Sequence, residues 1–108
     1  MQASLGESKI TNNDKLVLDV MADRYCIQIL QAINTEPKSV SQLSSECGIF
    51  LGVAYRKLNV LKKSGLLDTH CEIRPDGKKF FLYKSRVKGI VASFVDNKLE
   101  VATVLEKE

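Results

Sequence analysis

Gly52, Arg56, Asn59 and Lys63 recur at spacings of four, three and four residues. Residues spaced this way share one face of an α-helix. That face would carry hydrogen-bonding groups of a particular kind. A guanidinium presents paired donors that fit the edge of guanine, and a carboxamide can pair with the edge of adenine. An ammonium neutralises phosphate at the rim of a groove. Gly52, near the start of the stretch, leaves room for close backbone approach, and Val53, Tyr55 and Lys62 flank the row. A second group of cations, Arg74, Lys78 and Lys79, surrounds the turn sequence Pro75-Asp76-Gly77. Together these residues have the chemistry of a major-groove reader beside a basic loop.

Other chemistry is poorly represented. No Ser-His-Asp set, paired carboxylates or glycine-rich phosphate loop stands out, so an enzyme is not expected. His70 is the only histidine and adjoins Cys71. Neighbours on a strand point to opposite faces, which places the two badly for sharing a metal. Cys26, Cys47 and Cys71 have neither CxxC nor CxC spacing, so no disulfide framework, metal site or cofactor is implied. They read as small buried thiols, with a redox role for Cys47 or Cys71 left open.

The charge distribution is uneven. Net charge is +3 over 108 residues, yet residues 55–88 alone hold ten basic and three acidic side chains. The segments on either side are each at −2. A basic block between mildly acidic ends is the footprint of a surface that meets a polyanion. It is also compatible with a solvated lysine-rich face.

These groups need elements to position them. A helical pattern starts near Asn13 or Asp14, with Leu16, Val17, Val20 and Met21 at helical spacing. Asp23 can cap a second stretch containing Ile27, Leu30 and Ile33, so the region is either one bent helix or two short ones. Pro37 interrupts it. Ser39-Val40 reads as one extended rung, and Ser41 as the N-cap of a short helix reaching Cys47. Gly48 supplies the turn, Ile49 a core contact, and Leu51–Ser64 the next helix, closed by Gly65. In that last helix Ala54, Leu58 and Leu61 would face inward.

Beyond Gly65 the period changes. Leu66–Arg74 and Lys79–Lys84 read as strands joined by Arg74-Pro75-Asp76-Gly77. Val87–Leu105 is either a helix capped by Ser85 or a hairpin turning at Asp96-Asn97, and the β-branched runs favour the hairpin. The fold class is therefore α+β, a winged helix-turn-helix: three to four N-terminal helices, a β-hairpin wing, and a C-terminal hairpin or helix.

The length fits one domain. It divides into a mobile arm over 1–12, the winged helix-turn-helix over 13–84, and an extension over 85–108 suited to dimerisation. No apolar run approaches the roughly 20 residues of a membrane span. The first residues lack the basic and apolar segments of a signal peptide, so a cytoplasmic location without membrane association is expected.

The stretch SQLSSECGIFLGVAYRKLNVLKKSGLL, residues 41–67, resembles the ArsR-like winged helix regulators, the small archaeal ones in particular. The matching phrases are Ala54-Tyr55-Arg56-Lys57-Leu58 and Leu61-Lys62-Lys63-Ser64-Gly65-Leu66-Leu67, with Ala22–Leu30 echoing an earlier family helix. The resemblance extends over roughly residues 14–84. It implies a transcriptional regulator that binds double-stranded DNA sequence-specifically as a homodimer. Helix 51–64 would enter the major groove, and wing 74–79 would lie on the backbone or minor groove. Two departures stand out. Family recognition helices usually open on Ser, Thr or Pro, whereas here Phe50-Leu51-Gly52-Val53 is apolar, and no metal-ligand set is present. The apolar opening could contact thymine methyls, or could pack against a partner protein, which leaves a second reading, a winged-helix module that binds protein. The dimer surface would come from the first helix (Leu16, Val17, Val20) or from the C-terminal segment. Operator, effector and direction of regulation are not encoded legibly.

Overall fold

A computed structural model describes residues 10–106, in which four helices precede two antiparallel hairpins. Helix α1 (Asn12–Met21) opens on a capping box. Thr11 Oγ1 accepts from the Asp14 amide at 3.0 Å, and the Asp14 carboxylate accepts from the Thr11 amide at 3.2 Å. This satisfies two N–H groups that the first turn leaves without helical partners. Of the arm expected over 1–12, residues 1–9 lie outside the described residues, and Thr11 and Asn12 already belong to the start of α1.

Ala22 caps the end of α1, and Asp23 starts the next helix. Its carboxylate accepts from the amides of Tyr25 (2.9 Å) and Cys26 (3.2 Å), capping α2 (Arg24–Ala32). The region is thus two short helices. Helix α3 (Val40–Cys47) is capped by Ser39, not Ser41, because Ser39 has Gln42 three residues on and the two close a capping box; Ser41 has only Ser44 at that offset. The extended rung sits one residue earlier than the sequence suggests. Lys38 exchanges both backbone hydrogen bonds with Tyr83, at 3.0 and 2.8 Å.

Gly48 adopts φ +66°, the left-handed conformation that lets the chain leave α3 and re-enter a helix within three residues. Ser44 Oγ donates to the Ile49 carbonyl at 2.5 Å and secures the turn. Helix α4 (Leu51–Lys63) follows. It ends where the Leu66 amide donates back to the Leu61 carbonyl across Gly65, at φ +78°.

Strands β1 (Leu67–Ile73) and β2 (Lys79–Ser85) pair with Leu67 opposite Ser85 and Ile73 opposite Lys79. Strands β3 (Val87–Val95) and β4 (Lys98–Leu105) form a separate two-stranded sheet. Asp96 and Asn97 turn it with φ of 54° and 65°, so the C-terminal segment is a hairpin. This architecture is a winged helix-turn-helix.

Val17, Val20, Ile29, Ile33, Leu43, Leu58, Leu61 and Leu66 make one core. Val87, Ile90, Val101 and Leu105 pack on it from the base of the second hairpin, whose far end projects and stretches the molecule to 62 × 30 × 20 Å. The core takes Val17 and Val20 from the apolar stripe of α1, while Leu16 stays half-buried and Met21 exposed. Val17 and Val20 are fully buried in their own chain, and so are withdrawn from the dimer surface that the sequence offered for them. Among the described residues no helix is long and apolar enough to cross a membrane.

The core makes one contrast measurable. Leu58→Ala should cost about 2–5 kcal/mol of unfolding free energy, as truncation of a buried leucine does. Arg56→Ala, two residues away and exposed, should stay within about 0.5 kcal/mol. Urea denaturation of both variants checks this, and equal losses would mean that the helix is not anchored on the Leu58 side.

Candidate nucleic-acid interface

The rotation of α4 about its axis decides what it presents. Ala54, Leu58 and Leu61 are 0%, 1% and 0% exposed. With that face buried, Gly52, Tyr55, Arg56, Asn59, Lys62 and Lys63 are exposed and Val53 is half-buried. The wing residues Arg74, Lys78 and Lys79 are exposed as well. A Cβ added to Gly52 would meet no atom within 4 Å, so nothing within the protein requires glycine there.

The wing stands beside α4. A cleft of about 300 Å³ is lined by Ser39, Val40 and Ser41 at the start of α3, Tyr55 of α4, and Lys79, Phe80, Phe81 and Tyr83 of β2. Burial pushes the Tyr83 phenol above its ordinary value, and neighbouring Tyr55 adds to the shift. The cleft thus sets Tyr55, on the flank of the α4 row, beside Lys79 at the foot of the wing. Sequence spacing singled out neither Ser39 nor Ser41 for this place. Ser41 read as a cap, and its freedom to line the cleft follows from Ser39 taking that role.

The turn holding the wing tip is well tied. The Gly77 amide donates to the Arg74 carbonyl and the Arg74 amide to the Lys78 carbonyl, each at 2.8 Å. Asp76 accepts from the Lys78 amide at 3.0 Å, and Gly77 takes φ +87°. Three backbone contacts fix the hairpins to the helices: the Lys38–Tyr83 bridge, Ser85 N–H to Ile33 C=O at 3.0 Å, and Arg86 N–H to Leu66 C=O at 3.0 Å.

The cations of α4, the wing and their surroundings fall into two sets; Lys15, Arg24, Lys88 and Lys98, elsewhere, also lack an ion-pair partner among the described residues. Lys38, Lys57, Lys84 and Arg86 face Glu46, Asp23, Glu106 and Asp68 respectively within salt-bridge range. Arg56, Lys62, Lys63, Lys78 and Lys79 have no such partner among the described residues. Arg74 has a loose one, Asp76 at 3.9 Å. The row picked from helical spacing is therefore electrostatically unspent. Lys57, in the same helix, is spent as a brace: its Nζ donates to Asp23 at 2.5 Å and ties α4 to the cap of α2.

Asp23 feels opposing influences. Burial favours its neutral form, but the hydrogen bonds from Lys57 and from the amides of Cys26 and Tyr25 outweigh it and hold the carboxyl below its usual value. Cys26, buried beneath this pair, is pushed up to about 11 by burial and by the Asp23 charge, which makes it an inert thiol. Burial raises Cys47 too, and Cys71 lies exposed on β1. His70 contacts Glu72 at 2.5 Å on an exposed strand face. Among the described residues no three His, Cys, Asp or Glu side chains converge to hold a metal.

A family model described as a helix-turn-helix domain matches residues 21–70. Among solved structures, reduced HlyU from Vibrio cholerae superposes with a TM-score of 0.59 at 24% identity, over 79% of this chain and 81% of that one. The homodimeric winged helix-turn-helix DNA-binding domain of Mb0332 from Mycobacterium bovis, a possible ArsR-family transcriptional regulator, superposes with a TM-score of 0.56 at 20% identity, over 68% and 64%. No curated protein sequence matches the chain.

The brace that orients α4 has a pH signature. Because the folded-state value of Asp23 lies below its ordinary 3.8, its contribution is complete above that value and disappears as pH falls through the folded one. Asp23→Asn keeps a capping oxygen and loses the charge. It should cost about 0.5–1 kcal/mol at neutral pH, and the difference from wild type should close in acid. A gap that persisted or widened in acid would contradict the assignment.

Proposed function

Starting from a chain that carries a helix-turn-helix domain over residues 21–70 in a winged-helix fold, we propose that this protein is a homodimeric, ArsR-like transcriptional regulator binding specific double-stranded DNA. The observation that carries the reading is the unspent row on α4. Arg56 and Asn59 are the base-reading residues, and Gly52, Val53 and Tyr55 form the leading part of the helix in the groove. Lys62 and Lys63 meet phosphate, while Arg74, Lys78 and Lys79 follow the backbone or minor groove from the wing. The chemistry is binding and not catalysis. A location in the cytoplasm accords with this role.

Dimerisation assigns a use to the second hairpin. Its inner face packs on the core at the base, while further out Val91, Phe94 and Val95 are 62%, 67% and 63% exposed. A hairpin with uncovered apolar side chains on both faces is poorly suited to stand alone in water. The Mb0332 domain is a homodimer, and two copies here would set two α4 helices on half-sites about one helical turn apart. A groove of about 410 Å³ lined by Met21, Ile27, Leu30, Val87 and Ile90 adjoins the hairpin base and offers further apolar surface to the second copy.

Two measurements test this. In gel-shift titrations, Arg56→Ala with Lys63→Ala should abolish specific retardation of a duplex selected from a random pool, with unchanged circular dichroism. The logarithm of wild-type affinity should fall with log salt at a slope of about −5 to −7 if six to eight phosphates are neutralised. Wild-type protein that retards no duplex at low salt would instead make this a winged-helix protein-binding module, the reading favoured by the apolar Phe50–Val53 opening. In sedimentation at micromolar concentration, wild type should run as a dimer and Phe94→Glu as a folded monomer; a monomeric wild type would remove the hairpin's role.

A further inference from the structure

Phe50 is the most exposed large apolar side chain among the described residues, at 85%. It occupies the N-cap of α4, where a side-chain acceptor usually stabilises a helix, and it makes no capping hydrogen bond. The position thus forgoes local stability and buries nothing in exchange. Leu51 beside it is also exposed, and the first turn of the helix contains no acidic residue. An approaching polyanion meets only an apolar tip, uncapped amides and, further along the helix, Arg56.

We propose that Phe50 is a specificity-determining residue that recognises the 5-methyl group of a thymine in the major groove. The inference rests on the DNA-binding reading above and deepens it. The leading residues of a recognition helix are the ones that reach base edges, and the thymine methyl is the apolar mark that the major groove displays. A phenyl ring standing free at that end can cover the methyl and shed the water from both. A protein partner fits the tip less well. Phe50 and half-exposed Leu51 make a point, whereas a stable protein interface buries on the order of 800 Å² on each side. The basic row that continues from the tip along α4 favours a nucleic acid.

Replacing thymine by deoxyuridine removes this methyl and nothing else. In a duplex selected by the wild-type protein, each thymine is exchanged in turn and affinities are measured for wild type, Phe50→Ala and Arg56→Ala. Wild type should lose about four-fold at one thymine per half-site, the worth of burying one methyl. Phe50→Ala should bind the thymine and uracil duplexes equally. Arg56→Ala should weaken both while keeping the ratio between them. No thymine position exceeding about two-fold for wild type, or a ratio preserved in Phe50→Ala, would overturn the assignment while leaving DNA binding intact. Failure of the wild type to bind any duplex at low salt would end both.

Discussion

Burial of Leu58 and Leu61 under α1 and α2 fixes the rotation of α4, and everything proposed for this protein depends on that rotation. A helix has one azimuth once its apolar stripe is packed. With Ala54, Leu58 and Leu61 inward, the residues at 52, 56, 59 and 63 have only solvent to face. The Lys57–Asp23 pair reinforces the azimuth from the flank, since it joins α4 to the first turn of α2. The pair itself is a modest contributor to stability at its partial exposure. Its larger effect is geometric: it uses one cation of the helix internally and so separates bracing charge from free charge.

The second constraint joins the wing to the helices. Lys38 pairs with Tyr83, and Ile33 and Leu66 accept from Ser85 and Arg86, so the base of the wing is held by main-chain bonds. Such bonds are insensitive to side-chain identity, which allows the surface to vary while the wing keeps its place. The cleft between Tyr55 and Lys79 follows from this arrangement. The fold sets Tyr55 of α4 beside Lys79 at the foot of the wing, a proximity that charge counting alone did not establish.

Much of the fold was legible because local signals agreed with the global packing. The period of α4, the Gly48 and Gly65 positions, and the Pro75-Asp76-Gly77 turn each specified one conformation, and each is found. Ser39 was misjudged because two serines competed for the cap, and only the reach of Gln42 distinguishes them. The Lys38 rung was displaced for a related reason, since its partner Tyr83 is 45 residues away and no local pattern reports a pairing of that range. The C-terminal segment was ambiguous because Ser85 offers a helix cap while the β-branched runs favour strands. The positive φ at Asp96 and Asn97 resolves it. The stripe of α1 was legible as apolar, but not that Val17 and Val20 are already taken up by the chain's own core. The site residues were legible as a helix face and as charges; that the cations of the α4 row lack an ion-pair partner among the described residues was not, because that depends on where Asp23, Glu46, Asp68 and Glu106 fall in three dimensions.

The most direct measurement is an amide chemical-shift titration of labelled protein with a selected duplex. The account predicts that the large changes fall in residues 50–63 and 74–79, at the cleft between them, and leave the far end of the second hairpin unmoved. Changes concentrated on residues 87–105, with α4 silent, would contradict it.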